Sequence, residues 1–229
     1  MKFLTLATGE STDQELSVLR ARVQISDGHY AVAAKELQAT SVDRTNYFDA
    51  QYWLAIAQRA GGRAVEAEST VDSLLAGRPN DERALEVKSA LASDRNDWIS
   101  AVGAQTKLVK LRPDSAAEQC RLGDLLLRSR NVGAAEEPLH KGLQLDPHAF
   151  LCHRDLGELY RATGRNTEAI RELEWVVRFF PEADSKTYVS LALAYQTAKD
   201  RASAQFALEK GRRLFPDDQL LRKFPIGRN

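Results

Sequence analysis

Residues 150–181, FLCHRDLGELYRATGRNTEAIRELEWVVRFFP, carry the pattern on which the fold turns. Leu156-Gly157 is followed three residues on by Tyr160, then by the turn-prone Thr163-Gly164-Arg165-Asn166. Ala169 and Leu173 come next, four apart, and the stretch stops at Pro181. Apolar residues spaced i, i+3, i+4 and i+7 make one face of a helix. The turn residues divide that run in two. Proline lacks the amide proton and crowds the preceding turn, so it ends the second half. The stretch therefore predicts two amphipathic helices folded back on one another, with Gly157 and Ala169 where they approach most closely. A larger side chain at such a point costs about 1–3 kcal/mol in overpacking.

The same reading applies along most of the chain. Five prolines fall at 79, 113, 147, 181 and 216, spaced by 34, 34, 34 and 35 residues. Small residues recur upstream of them at Ala67, Ala101, Ala135, Ala169 and Ala204, followed four later by Val71, Gln105, Leu139, Leu173 and Leu208. Earlier in each unit stand Leu54-Ala55, Leu122-Gly123, Leu156-Gly157 and Leu191-Ala192. A stop at constant interval means one structural unit is repeated. The predicted units are 12–47, 48–81, 82–115, 116–149, 150–183 and 185–218, after an arm at 1–11 and before a short capping segment and tail at 219–229. The first unit lacks a closing proline, and its opening helix places Leu16, Leu19 and Val23 in the apolar stripe. Thr12-x-x-Glu15 and Ser115-x-x-Glu118 have the form of a capping box. The third unit is the most degenerate, with Lys88-Ser89 for Leu-Gly and Gln105 for the usual large apolar residue, and is expected to be the softest. Pro138 is expected to bend the helix that contains it. After Pro216 only Asp217–Lys223 can continue as helix before Pro225.

These units resemble the tetratricopeptide repeat, a 34-residue helical hairpin with the pattern W-x2-L-G-x2-Y, A-x3-F and a closing P. The matching residues are His153-x2-Leu156-Gly157-x2-Tyr160, Ala169-x3-Leu173 and Pro181, then Tyr188-x2-Leu191-Ala192-x2-Tyr195, Ala204-x3-Leu208 and Pro216. The resemblance covers about nine tenths of the chain. It implies an all-α, right-handed α-solenoid of about six helix-turn-helix repeats, with a concave face lined by the first helix of each. It also implies that partner peptides lie in that groove. Carried onto this chain, the groove positions are Tyr52, Trp53, Ile56 and Arg59; Arg121, Asp124 and Arg128; Arg154, Asp155, Glu158 and Arg161; and Lys186 and Gln196. Tyr52 and Trp53 read either as binding anchors or, for Trp53, as packing against the preceding unit. Arg121, Arg128, Arg154 and Arg161 read either as a cationic patch for an acidic peptide or as a solvated face with i,i+4 pairs. The family's carboxylate clamp is missing, because Cys120 with Asp124 and Arg154 with Glu158 stand where it needs lysine and asparagine.

Composition narrows the function classes. Lys plus Arg and Asp plus Glu both number 32, so no global field draws the chain to nucleic acid or anionic lipid. No apolar run approaches the roughly 18–20 residues that span a bilayer, and the start of the chain is too broken for a secretory core. The chain reads as cytoplasmic, or as periplasmic if it is a mature fragment; its Arg- and Ala-rich style is bacterial. Cys120 and Cys152 form no CxxC pair, which fits a reducing compartment. Neighbouring helices lie 8–10 Å apart, whereas a disulfide needs Cα atoms within about 7 Å, so the cysteines are expected to be unpaired. The four histidines, His29, His140, His148 and His153, have no zinc-site spacing, and His153 takes the position of a packing tryptophan. There is no phosphate loop, dinucleotide fingerprint or nucleophile elbow.

The sequence thus predicts a non-enzymatic protein–protein interaction scaffold, without metal or cofactor, that binds a partner peptide or protein. Its rivals are a recruiting module of a larger enzyme or a secretion or assembly machine, and a self-associating structural protein pairing through its end repeats.

Overall fold

Each of the five evenly spaced prolines stands two residues past a helix end, so the chain-breakers set the register of the structure. The computed structural model describes residues 15–39, 47–182 and 184–224, and every regular element among them is helical. The arm at 1–11, Thr12 of the first capping box, and Pro225 with the tail beyond it lie outside the described residues.

Two compact units divide the chain, at residues 1–111 and 112–229. In the first, α1 (residues 15–26) and α2 (Tyr30–Ala39) precede α3 (Tyr47–Ala60), α4 (Ala64–Gly77), α5 (Glu82–Asp94) and α6 (Trp98–Leu111). In the second, α7 (Ala116–Arg128), α8 (Val132–Leu145), α9 (Phe150–Ala162), α10 (Asn166–Phe179), α11 (Ser185–Thr197) and α12 (Arg201–Leu214) lead to α13 (Gln219–Lys223). Consecutive helices pair as antiparallel hairpins, α7 with α8, α9 with α10 and α11 with α12.

The turn inside each hairpin has one residue in the left-handed region: Gly28, Gly62, Asn96, Arg130, Gly164 and Lys199. Their spacing is 34 four times and then 35, the proline interval over again. Glycine adopts that conformation without a Cβ clash, whereas Arg130 and Lys199 hold it against their side chains.

Inside the hairpins, the residue sixteen places after each small first-helix residue closes the gap beside it. A Cβ built on Gly157 would stand 2.6 Å from Leu173 Cδ2, and one on Gly123 would collide with Leu139. Ala55 meets Val71, and Ala192 meets Leu208, in the same way. In α5–α6 the pair is polar: Ser89 Oγ lies 3.3 Å from Gln105 Oε1 and 3.4 Å from the Ala101 carbonyl.

Caps follow the prolines. Asp81, Ser115, Asp184 and Asp218 each accept a backbone N–H at the start of the next helix. The expected box at Ser115 is half formed, since its Oγ accepts from Glu118 N at 3.3 Å while the Glu118 carboxylate lies 3.3 Å from Arg112. In the second unit the tryptophan-like position also holds the proline loop. Gln119 Nε2 donates to the Pro113 carbonyl, His153 Nε2 to that of Pro147 and Tyr188 Oη to that of Pro181, at 3.3, 2.9 and 2.9 Å. Helix α8 runs on through Pro138. The short α13 buries Leu221 against α11 and α12, and Arg212 donates to the Leu221 and Phe224 carbonyls at 2.9 Å.

Candidate functional site

The first unit holds Tyr52, Trp53, Ile56 and Arg59 on α3. Trp53 is half-buried against the cluster of Val18, Ala33, Leu37 and Leu54, with the Arg22 guanidinium 4.8 Å from its ring centroid. That contact is the packing alternative for Trp53. Tyr52 meets Trp53 edge to face at 5.1 Å, and the Arg83 guanidinium lies 4.8 Å from the Tyr52 ring. Burial lifts the Tyr52 hydroxyl pKa above its ordinary value. Ile56 packs with Tyr52 on the Ala55–Val71 cluster. Arg59 donates two hydrogen bonds to Asp94, at 2.6 and 3.1 Å, and so ties α3 to α5.

In the second unit a groove of about 760 Å³ gathers six of the sequence-predicted residues: Asp124, Arg128, Arg154, Asp155, Glu158 and Lys186. First helices place them, α7 supplying the first pair, α9 the next three and α11 the last. The groove also draws in Leu127, Phe150, Asp184 and Leu220. Arg121, Arg161 and Gln196 do not line it.

The charges of this groove answer one another. Arg128 Nε contacts both Asp124 oxygens, at 2.8 and 3.0 Å. Arg154 donates to Asp155 at 2.8 Å and lies 3.7 Å from Asp124, while Arg161 donates to Glu158 at 2.9 Å. Three of the four predicted arginines are thus committed to neighbouring carboxylates, which offsets the cationic patch read from sequence. Asp155 is only 3% exposed, and its Oδ2 has no hydrogen-bond partner among the described residues. Burial pushes its pKa up to about 6, against the pull of Arg154. Burial disfavours the charge on Arg154 as well, but Asp155 and Asp124 outweigh it and hold that guanidinium more firmly protonated.

The cysteines correct the sequence reading. Cys120 and Cys152 are joined by a disulfide between α7 and α9, with Cα atoms 4.9 Å apart. The 8–10 Å helix spacing is measured between axes; each Cα stands about 2.3 Å off its axis, so facing residues come about twice that much closer. Gly142 on α8 leaves the space, since a Cβ there would stand 2.8 Å from Cys120 Sγ and collide with that of Cys152. A disulfide is not the expected state of a thiol pair in a reducing compartment.

His153 is buried in the seam. Its Nδ1 lies 2.7 Å from Glu172 Oε2, and its ring stacks on Trp175 at 3.7 Å. Burial alone would raise the Glu172 pKa, yet hydrogen bonds from His153 and Arg171 bring it below the ordinary value. Among the described residues no group of three or more His, Cys, Asp or Glu is arranged to hold a metal. No described helix is long and apolar enough to cross a membrane.

Sequence reasoning considered first helices only, and so missed an aromatic depression between α10 and α12. The signal was present: Trp175 and Phe206 stand at repeat positions that other units fill with polar or small residues.

Comparison with known proteins agrees with this architecture. The chain is 26% identical over 198 residues to cellulose synthase operon protein C of Pseudomonas fluorescens (strain SBW25), an alignment covering 82% of this chain and 15% of that relative. A tetratricopeptide repeat protein from Parabacteroides merdae ATCC 43184 superposes with a TM-score of 0.76 at 19% identity, over 92% of this chain and 84% of the other. YrrB, a TPR protein with an unusual peptide-binding site, superposes with a TM-score of 0.63 at 16% identity, over 76% and 89% of the two chains. The family model for the tetratricopeptide repeat matches residues 18–82 and 120–184, more than half of the chain. With all-helical hairpins in step with that match, this chain belongs to the tetratricopeptide repeat family.

Proposed function

We propose that the chain is a non-enzymatic protein-binding scaffold whose second unit receives a partner segment in the groove lined by α7, α9, α11 and α13. The observation that carries this reading is the groove itself. It is open, about 760 Å³ in volume, and walled by charged side chains around Leu127, Phe150 and Leu220. Its lining holds three cations and four carboxylates, largely paired with each other. A ligand must exchange those pairs for its own, which selects a segment of mixed charge with an apolar anchor over a uniformly acidic one. The peptide-binding site of YrrB supports the choice of ligand class.

The test is affinity capture from a cell extract with the wild-type chain and with Glu158→Ala/Lys186→Ala, quantified by mass spectrometry. Both side chains are accessible, so the variant should fold normally and lose its main interactors. An unchanged set of captured proteins would remove the groove from consideration.

A second reading is favoured by the length of the relative, of which this chain spans only 15%. The chain then acts as a recruiting section in an assembly such as one containing a cellulose synthase operon protein C. The Cys120–Cys152 disulfide favours an oxidising compartment such as the periplasm for that assembly. Thiol-labelling of the chain in intact cells tests the compartment: unlabelled cysteines that react only after reduction support it, and free thiols refute it.

A further inference from the structure

A depression of about 810 Å³ lies on the second unit between α10, α11 and α12, away from the groove residues. The chain's own repeats serve as the control for its lining. Five of the second helices, α4, α6, α8, α10 and α12, have fourteen residues each. The tenth residue of each is Ser73, Lys107, Lys141, Trp175 and Lys210. The sixth is Ser69, Gly103, Glu137, Arg171 and Phe206. The hairpin scaffold therefore accepts polar or small side chains at both positions. Trp175 and Phe206 depart from that usage in adjacent units, and both departures open onto one depression.

Packing accounts for only part of this. Trp175 has one face on His153 at 3.7 Å and lies 5.0 Å from Phe179. Phe206 remains 63% exposed and Phe179 54% exposed. Two phenylalanines facing water beside a half-buried tryptophan form the kind of apolar surface that marks an interaction site. Aromatic side chains are also the usual anchors of such sites.

Charge names the occupant. The depression carries the cations Arg171, Arg178 and Lys210 against one carboxylate, Glu174. That carboxylate already accepts the Tyr195 hydroxyl. Lys210 donates to the Val177 carbonyl at 3.2 Å, and Arg171 reaches Glu172 at 3.0 Å while staying largely in solvent. The rim is cationic and the floor aromatic, unlike the internally paired groove on the first helices. We infer that this depression is a second docking site, for a protein segment carrying a bulky apolar side chain flanked by aspartates or glutamates.

The probe is a fluorescein-labelled octapeptide with phenylalanine and leucine at its centre and three acidic residues on each side. Its control has serine in place of both apolar residues. Fluorescence anisotropy at low and high salt should show the probe binding more tightly than the control, and more weakly as salt screens the rim. Phe206→Ser, at an exposed position where serine occurs in another repeat, should lower affinity by about tenfold or more with an unchanged circular dichroism spectrum. Arg178→Glu should do the same, whereas Glu158→Ala/Lys186→Ala should leave binding intact, which separates this site from the groove. Equal binding by wild type and Phe206→Ser would overturn the inference, as would a failure to bind the probe. So would sedimentation showing a dimer that Phe206→Ser abolishes, because the occupant would then be a second copy of the chain.

Discussion

Hairpins α5–α6 and α9–α10 close the same gap with opposite chemistry. In α9–α10 a glycine meets a leucine, so the helices touch through a backbone and an aliphatic side chain. In α5–α6 a serine meets a glutamine, at 2% and 0% exposure, and the contact is a buried polar one. What the repeat requires at these two positions is volume together with satisfied polar groups, and not one residue type. Apolar contact tolerates some change of neighbour, whereas the polar pair depends on each partner's presence, since a buried group left alone costs about 1–3 kcal/mol.

The largest effect should come from truncating the apolar partner. Leu173→Ala removes a fully buried side chain beside a glycine that cannot fill the space, and should cost about 2–5 kcal/mol. Urea denaturation measures the loss, and hydrogen exchange should place it in α9 and α10. Protection lost equally in α3–α6 would mean that the repeats do not behave as a nearest-neighbour array.

Next comes the covalent tie, which distinguishes the two units because both cysteines lie in the second. Cys120 and Cys152 enclose a 32-residue separation, and a loop of that length is worth about 2–4 kcal/mol through the unfolded chain. Reduction, or Cys120→Ser/Cys152→Ala, should lower the denaturation midpoint of α7–α10 and leave exchange in α3–α6 unchanged. An indifferent midpoint after complete reduction would show that the tie adds no stability.

A third contrast is electrostatic. Burial holds the Asp155 pKa at about 6, while an unfolded aspartate titrates near 3.9. The folded chain therefore binds more protons between those values, and the contribution of Asp155 to stability falls as pH rises through that window. Above pH 6 the folded unit carries an ionised, poorly accommodated carboxylate. Asp155→Asn removes this titration, so relative to wild type it should be more favourable at pH 8 than at pH 4 by on the order of 1–2 kcal/mol. Parallel denaturation curves for the two proteins across that range would contradict the assignment.

The hairpin register was readable because proline and turn residues act on the few residues around them, but the stripe of α1 was misplaced: Leu16, Leu19 and Val23 are exposed, and Val18 and Ala21 are the buried residues there. The left-handed turn positions were readable where glycine marks them, at Gly62 and Gly164, and unmarked at Arg130 and Lys199. Side-chain pairing was harder. The carboxylates that take up Arg128, Arg154 and Arg161 all lie within four residues of them, so local pairing was one of the two readings the sequence offered, as packing was for Trp53, but local sequence did not decide between them. The disulfide was misread because an axis-to-axis distance was applied to Cα atoms on facing sides, with Gly142 supplying room that depends on a third helix. The α10–α12 depression required comparing units with each other, position by position, instead of matching each to a family pattern.

The smallest effect, and the most direct inversion of the opening contrast, comes from giving α5–α6 the chemistry of its counterparts. Ser89→Ala/Gln105→Leu would reproduce the Ala192–Leu208 pair already present in α11–α12. Replacing both members of a buried polar pair by apolar groups of similar shape is near neutral, and Gln105 makes a further contact that the change removes, so the double variant should lie within about 1 kcal/mol of wild type. Gln105→Leu alone leaves Ser89 Oγ with the Ala101 carbonyl as its remaining contact from this set, and should be less stable than the double variant. The coupling between the two sites, read from the double-mutant cycle, then measures the interaction itself. Strict additivity would mean that Ser89 and Gln105 merely share a region, and that the polar seam contributes no more than the volume of its two side chains.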